Sequence, residues 1–250
     1  MKTSMLISLC LLSTMVYSQN AEQDTVDSYT EEIDTIFVHV PTPVLSVGFS
    51  GGASFINPEN INNHIEFENS IYNTDVRTIR TPGQWSLWLT YRPKNIPTFL
   101  TFRAEMLRSN REFNFQTPST QDTSTPTGML NVTAGSTYAI YPFSISSGAV
   151  LLKTRMKAEI GFIYALATIT HETTTQNGGS SSTTYEGDGY GFRLSLQQVV
   201  PIEKRIGATF EIGYRFLFLD EFRDTRGTKI SGIEADYSGM FLMIGISYGF

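Results

Sequence analysis

The stretch Gly239-Met240-Phe241-Leu242-Met243-Ile244-Gly245-Ile246-Ser247-Tyr248-Gly249-Phe250 decides the fold. Side chains alternate across a β-strand, so Met240, Leu242, Ile244, Ile246, Tyr248 and Phe250 share one face. Gly239, Gly245, Ser247 and Gly249 share the other, with Phe241 and Met243 as exceptions. A greasy face backed by a face of small residues predicts a strand covered on one side only.

Working upstream, the same division recurs. Ala208, Phe210, Ile212, Tyr214, Phe216 and Phe218 oppose Thr209, Glu211, Gly213 and Arg215. Tyr190, Phe192, Leu194 and Leu196 oppose Gly191, Arg193, Ser195 and Gln197, and Ile160, Phe162, Tyr164 and Leu166 oppose Lys157, Glu159, Gly161 and Ala165. Leu100, Phe102, Ala104 and Met106 oppose Thr101, Arg103 and Glu105. Trp85, Leu87, Leu89 and Tyr91 oppose Ser86, Thr90 and Arg92, with Trp88 an exception. Val47, Phe49, Ala53 and Phe55 oppose Ser46, Gly48, Ser50, Gly52 and Ser54. A strand near Tyr138 to Ser146 is the least regular, because Pro142 has no N–H for a ladder. No window carries helical periodicity, so the reading is all-β with eight strands.

Connections between these strands alternate in length. Short ones fall at Pro93 to Pro97, Ser147 to Thr154 and Pro201 to Lys204. Long polar ones fall at Asn57 to Pro82, Ser109 to Met129, His171 to Gly189 and Arg223 to Asp236, so all long loops are expected at one end.

A soluble sandwich would turn its aromatic faces inward and leave its charges in water. Burying mid-strand charges suits a closed ring whose apolar faces meet lipid and whose ionic residues face a polar interior. Closure removes the strand edges that hydrocarbon cannot solvate, and strands of about 9–11 tilted residues suffice to cross. The expected architecture is an eight-stranded antiparallel transmembrane β-barrel, an up-and-down meander over residues 44–250. Its narrow lumen is filled by side chains. Arg103, Glu105, Lys157, Glu159, Arg193, Glu211 and Arg215 are expected to form a structural ion network there. Trp85, Tyr91, Phe99, Phe192, Phe222, Tyr237, Tyr248 and Phe250 are candidates for interfacial girdles.

The N-terminus supplies a location. Lys2 precedes the apolar run Met5 to Val16, too short to span a bilayer as a helix, and Ser18 offers a small residue for cleavage. Residues 1–18 therefore read as a signal peptide, and 19–43, rich in Asp and Glu, as a flexible acidic periplasmic leader. Cys10, the single cysteine, falls in the signal, so disulfides are not expected. With 18 Lys+Arg against 24 Asp+Glu the chain carries a net charge of -6, and no basic cluster suggests a nucleic-acid partner.

These features resemble the small outer-membrane β-barrel family of OmpA-like and PorT-like proteins, over about Val44 to Phe250. Ile246, Tyr248 and the final Phe250, in phase on the last strand, resemble the signal read by the barrel-assembly machinery of Gram-negative bacteria. The resemblance implies insertion in the bacterial outer membrane, with lipid as surroundings and the assembly machinery as a partner during biogenesis. The chain ends at the barrel where OmpA-like proteins continue into a peptidoglycan-binding domain, so tethering by that route is not implied.

Chemistry-bearing motifs are sparse. The three histidines are His39 in the leader, His64 near Glu66 and Glu68, and His171 beside Glu172 and upstream of Ser180, Ser181 and Ser182. No G-x-S-x-G accompanies them, and Thr173 to Thr184 reads as a mobile Gly/Ser/Thr loop. Neither thiolate nor calcium-loop spacing occurs, so no metal or cofactor is expected. Gly48, Gly51 and Gly52 sit within a strand and signal close packing or a bend rather than a phosphate loop. Asn131-Val132-Thr133 matches a glycosylation triplet of little weight in a bacterium. The leading expectation is a non-enzymatic outer-membrane barrel whose long loops bind an extracellular ligand, mediate adhesion or build the envelope. The alternatives are a lipid-modifying acyltransferase or deacylase using His64 or His171, and a secreted soluble barrel carrying an apolar ligand.

Overall fold

The computed structural model describes residues 44–94, 96–118, 129–151, 156–229 and 235–250. The expected signal peptide, the acidic leader and His39 lie outside the described residues. The elements are β1 (Leu45–Ile56), α1 (Glu59–Tyr72), β2 (Gly83–Tyr91), β3 (Thr98–Pro118), β4 (Met129–Leu151), β5 (Met156–Thr175), β6 (Ser180–Pro201), β7 (Ile206–Asp224), β8 (Ala235–Asp236) and β9 (Gly239–Gly249). Hydrogen-bonded neighbours run β6-β5-β4-β3-β2-β1-β9-β7, and a β6–β7 pairing joins the ends. Every pairing is antiparallel, so eight strands close a ring without an edge. β8 continues the line of β9 along β7, opposite Phe218 and Leu219.

The period-two pattern sets the two faces of this ring. Ile244 is 63% exposed while its neighbour Met243 is 2% exposed. Phe49, Leu87, Phe102, Ile145, Phe162, Phe192, Phe210 and Ile244 all point outward, one from each strand of the ring. The exceptions to alternation now have a reason. Trp88, Phe241 and Met243 are buried on the inner face, where they fill the lumen beside small residues. A Cβ on Gly48 would fall 2.1 Å from Trp88 Cζ2, and one on Gly213 would fall 2.3 Å from Phe241 Cζ. Glycine is what lets these rings lie flat against the inner wall.

Several expectations are corrected. Residues 59–72 form a helix where a polar loop without helical periodicity was expected. Its apolar residues are few, and only Ile61 and Ile65 reach the buried cluster, so tertiary contact rather than a strong local pattern holds it. The strands flanking two long connections also run far past the expected boundaries: β3 and β4 pair out to Pro118 and Met129, and β5 and β6 out to Thr174 and Ser180. The supposed mobile run Thr173 to Thr184 is therefore mostly a hairpin, whose β-branched threonines suit paired strands. Its tight turn places Gly178 at φ +81°, in the left-handed region.

β4 is the longest strand, although Pro142 lies within it. Pro142 is buried, and the β3–β4 ladder lapses between the pairs Ala104–Phe143 and Leu107–Ile140, while pairing to β5 continues opposite Ala165. Missing one donor costs the sheet a single local break. Three supposed girdle aromatics, Phe99, Phe222 and Tyr237, are buried, because their place in the alternation turns them inward. Trp85, Tyr91, Phe192 and Phe250 are exposed.

Candidate functional site

The lumen is layered. At mid-height six ionic side chains converge, each 6% exposed or less: Arg103, Glu105, Glu159, Arg193, Glu211 and Arg215. Glu105 is the hub. Its Oε1 accepts from Arg193 Nη1 at 3.0 Å and from Gln84 Nε2 at 2.9 Å, and its Oε2 accepts from Arg215 Nη2 at 3.0 Å. Arg193 Nη2 donates to Glu211 Oε1 at 2.6 Å, and Arg103 Nη1 donates to Glu211 Oε2 at 2.9 Å and to Ser86 Oγ at 3.2 Å. Glu159 lies 3.7 Å from Arg103 Nη2.

Three guanidiniums and three carboxylates balance in charge, which is how a dry interior tolerates them. Aromatic faces add to the pairing. Phe241 lies beneath Arg193 and Arg215, with ring centre to guanidinium carbon distances of 4.8 and 5.4 Å. Lys157 stands apart from these ion pairs. Its Nζ lies 5.6 Å from the ring centres of both Trp88 and Phe99, nearer the short-link end. Ser54 Oγ donates to Gln84 Oε1, so Gln84 relays the network onto β1. Gln84 and Phe241 join this network in addition to the seven charged residues expected from the sequence. Gln84 falls in phase with Ser86 on β2, which is the signal that identifies it.

Above the ionic layer the inner wall turns apolar. Leu107, Ile140, Ile163, Leu217, Leu219 and Phe222 join one buried cluster with Tyr138 and Tyr237, and Ile61 and Ile65 of α1 cover it. The clamped guanidiniums and carboxylates thus lie beneath an apolar layer.

The two described histidines, His64 and His171, lie at this covered end. His64, on α1, sits 3.4 Å from Glu68 at the surface. His171 Nδ1 is 2.7 Å from Ser136 Oγ, its direct register partner on β4, and the rings of Tyr138 and Tyr185 stand edge-on to it. Burial pushes its pKa below the usual histidine value. Ser180 to Ser182, downstream of it in sequence, open β6, pair with Thr174, Thr173 and Glu172 of β5 next to His171, and are exposed. Among the described residues no group of three or more His, Cys, Asp or Glu could hold a metal ion.

Beside α1, residues 73–81 run back along β3. Asn62 and Asn69, seven positions apart on the helix, each clasp one residue of this segment. Ile79 N donates to Asn62 Oδ1 at 2.6 Å, and Asn62 Nδ2 donates to Ile79 O at 3.0 Å. Val76 N donates to Asn69 Oδ1 at 3.0 Å, and Asn69 Nδ2 donates to Val76 O at 2.9 Å. Between this pinned segment and Ser109 to Asn114 of β3 opens a groove of about 500 Å³.

No family model and no curated protein matches the sequence. Among solved structures, a major outer membrane protein of Thermus thermophilus is similar at 11% identity and a TM-score of 0.42, over 82% of this chain and 99% of its own. OprG of Pseudomonas aeruginosa is similar at 11% identity and a TM-score of 0.42, over 84% and 97%. Neisserial surface protein A is similar at 12% identity and a TM-score of 0.34, over 82% and 97%.

Proposed function

We propose that the protein is an integral barrel of the bacterial outer membrane, non-enzymatic and akin to the OmpA-like and PorT-like group. It holds a rigid surface platform at its long-connection end for binding, adhesion or envelope structure. One observation carries the reading. All eight strands of the closed ring present large apolar side chains outward, while six charged residues are buried inside. In water this arrangement exposes far more contiguous apolar surface than a soluble protein tolerates. In lipid it places each group in its favoured surroundings.

The platform follows from the extended hairpins β3–β4 and β5–β6 and from α1, which stand beyond the apolar belt and carry Ser, Thr, Asn and Gln. A lumen filled by salt bridges and an apolar layer favours a scaffold over a wide channel. The Ser136–His171 pair sits between the rings of Tyr138 and Tyr185, and among the described residues no carboxylate is ion-paired with the imidazole to orient it as a base, which supports a structural role there over lipid-modifying chemistry. The leader and the assembly signal of Ile246, Tyr248 and Phe250 belong to the same proposal, with lipid and the assembly machinery as partners.

Heat-modifiable migration of protein extracted from outer membranes tests the reading. The folded ring should migrate differently from the boiled chain and require detergent for extraction. Recovery as a soluble, detergent-free protein after export would refute it.

A further inference from the structure

Positive charge gathers at the short-link end of the ring. Residues 92–97, 151–157 and 201–206 hold seven of the chain's 18 lysines and arginines and a single acid, Glu203, although the chain as a whole carries a net charge of -6. Lys157 belongs to the lumen, whereas Arg92, Lys94, Lys204 and Arg205 lie in the links themselves. These four make no ion pair among the described residues. Like charges collected at one rim repel each other unless an anion lies among them.

The link after β6 holds its cations in a fixed place. Ile202 N and Glu203 N both donate to Ile206 O, at 2.9 and 3.0 Å. Arg205 is then anchored twice: its carbonyl accepts from Gly249 N at 2.8 Å, and its Nη1 donates to the Tyr248 hydroxyl at 3.3 Å. That side-chain bond uses one of the five guanidinium donors, and the residue is exposed. Two further backbone bonds, Phe250 N to Leu45 O and Arg92 N to Val44 O, both 2.8 Å, carry the same rim across β9 and β1 to Arg92.

A recess of about 610 Å³ opens here, lined by Glu203, Lys204, Arg205, Ile206 and Tyr248. It adjoins the outward apolar belt, for Tyr248 is in phase with the exposed Ile246 and Phe250 on β9, and its ring stands edge-on to Phe250 at 4.9 Å. Two cations beside an aromatic hydroxyl, directly continuous with an oily surface, match an amphiphile. Guanidinium and ammonium groups suit a phosphate diester, and basic residues next to a membrane draw anionic lipid. Anchoring Arg205 beforehand lowers the ordering cost of binding. A wholly polar anionic polymer would satisfy the charges but leave Ile206 and the adjoining belt uncovered, so the lining favours lipid.

We propose that this rim binds an anionic phospholipid of the adjoining leaflet, with Lys204 and Arg205 on the headgroup phosphate and the acyl chains along Ile246 and Phe250. The inference rests on the membrane reading above and adds a preferred lipid and its site.

The test uses the full folded protein in neutral detergent, with phosphatidylglycerol and phosphatidylcholine of matched acyl chains added in equal amounts and native mass spectrometry as readout. Heat-modifiable migration confirms folding of each variant. Phosphatidylglycerol should be retained about tenfold over phosphatidylcholine. Lys204→Gln/Arg205→Gln should abolish that preference. Arg77→Gln/Arg80→Gln, at the opposite end of the ring, should leave it unchanged. A folded wild-type protein without the preference, or a Lys204→Gln/Arg205→Gln variant that keeps it, overturns the proposal. So does cosedimentation with purified cell-wall sacculi that the same double variant abolishes while lipid retention stays unchanged, an outcome that assigns the rim to the polymer. Recovery of the protein without detergent would instead refute the membrane reading, whereas a folded, detergent-requiring protein with no lipid preference refutes the lipid site alone.

Discussion

Arg193 and Glu105, 88 residues apart in sequence, meet at 3.0 Å inside the ring, and the same guanidinium reaches Glu211 with its other terminal nitrogen at 2.6 Å. One side chain on β6 thereby links carboxylates on β3 and β7 across the lumen. Removing one partner of a buried pair strands the other charge, a loss of about 3–5 kcal/mol. Arg193→Met should lower stability by that order in urea unfolding from detergent or vesicles. Combining it with Glu105→Gln should cost less than the sum of the two single changes, since the pair shares one interaction.

Trp88 occupies space that Gly48 leaves open. Overpacking by a β-branched side chain costs about 1–3 kcal/mol. Gly48→Val should destabilise the barrel by that amount in the same assay, and adding Trp88→Leu should recover much of the loss. No recovery would show that the backbone of β1, rather than the indole, sets the limit.

Ile244 points away from the ring at a central position of β9. With lipid around it, Ile244→Arg should cost about 2–4 kcal/mol in vesicle unfolding, the figure for a charge near mid-bilayer. Glu203→Arg, in the short link after β6, should cost little. Equal effects at the two positions would contradict the proposed lipid contact.

Asn62 is buried and matches both polar groups of the Ile79 backbone. Asn62→Ala leaves that N–H and carbonyl unmatched, a loss of about 1–3 kcal/mol. Amide hydrogen exchange should accelerate across residues 74–80 while the ionic layer stays protected.

His171 carries a pKa below the usual 6.5 because its site is buried. The folded protein then binds this proton less readily than the unfolded chain. Its contribution is fully present above pH 6.5 and is lost as pH falls through the lowered folded value. Acidification should therefore weaken the β4–β5 extension first, as faster exchange near Ser136 and Thr170. His171→Asn should flatten that pH dependence.

How much of this was legible in the chain depends on the range over which each feature is encoded. Alternation is a property of the backbone of each strand, so the two faces of β5, β6, β7 and β9 could be read residue by residue. So could the inward position of Arg103, Glu105, Lys157, Glu159, Arg193, Glu211 and Arg215. Lys157 marks the limit of that reading: its face is evident, yet its neighbours are the rings of Trp88 and Phe99 rather than the ion pairs.

Local pattern thus settles strand, face and the contrast between an oily exterior and an ionic interior, because each depends only on φ/ψ geometry and side-chain polarity. Other features wait on the closed ring. Arg193 selects Glu105 and Glu211 only when β3, β6 and β7 face one another, and Phe241 finds its two guanidiniums only inside the narrow lumen. Helix α1 forms because Ile61 and Ile65 have an apolar mouth to cover, and the groove exists because Asn62 and Asn69 hold residues 73–81 beside β3. These are contacts between distant segments, and no window of sequence contains both sides of any of them.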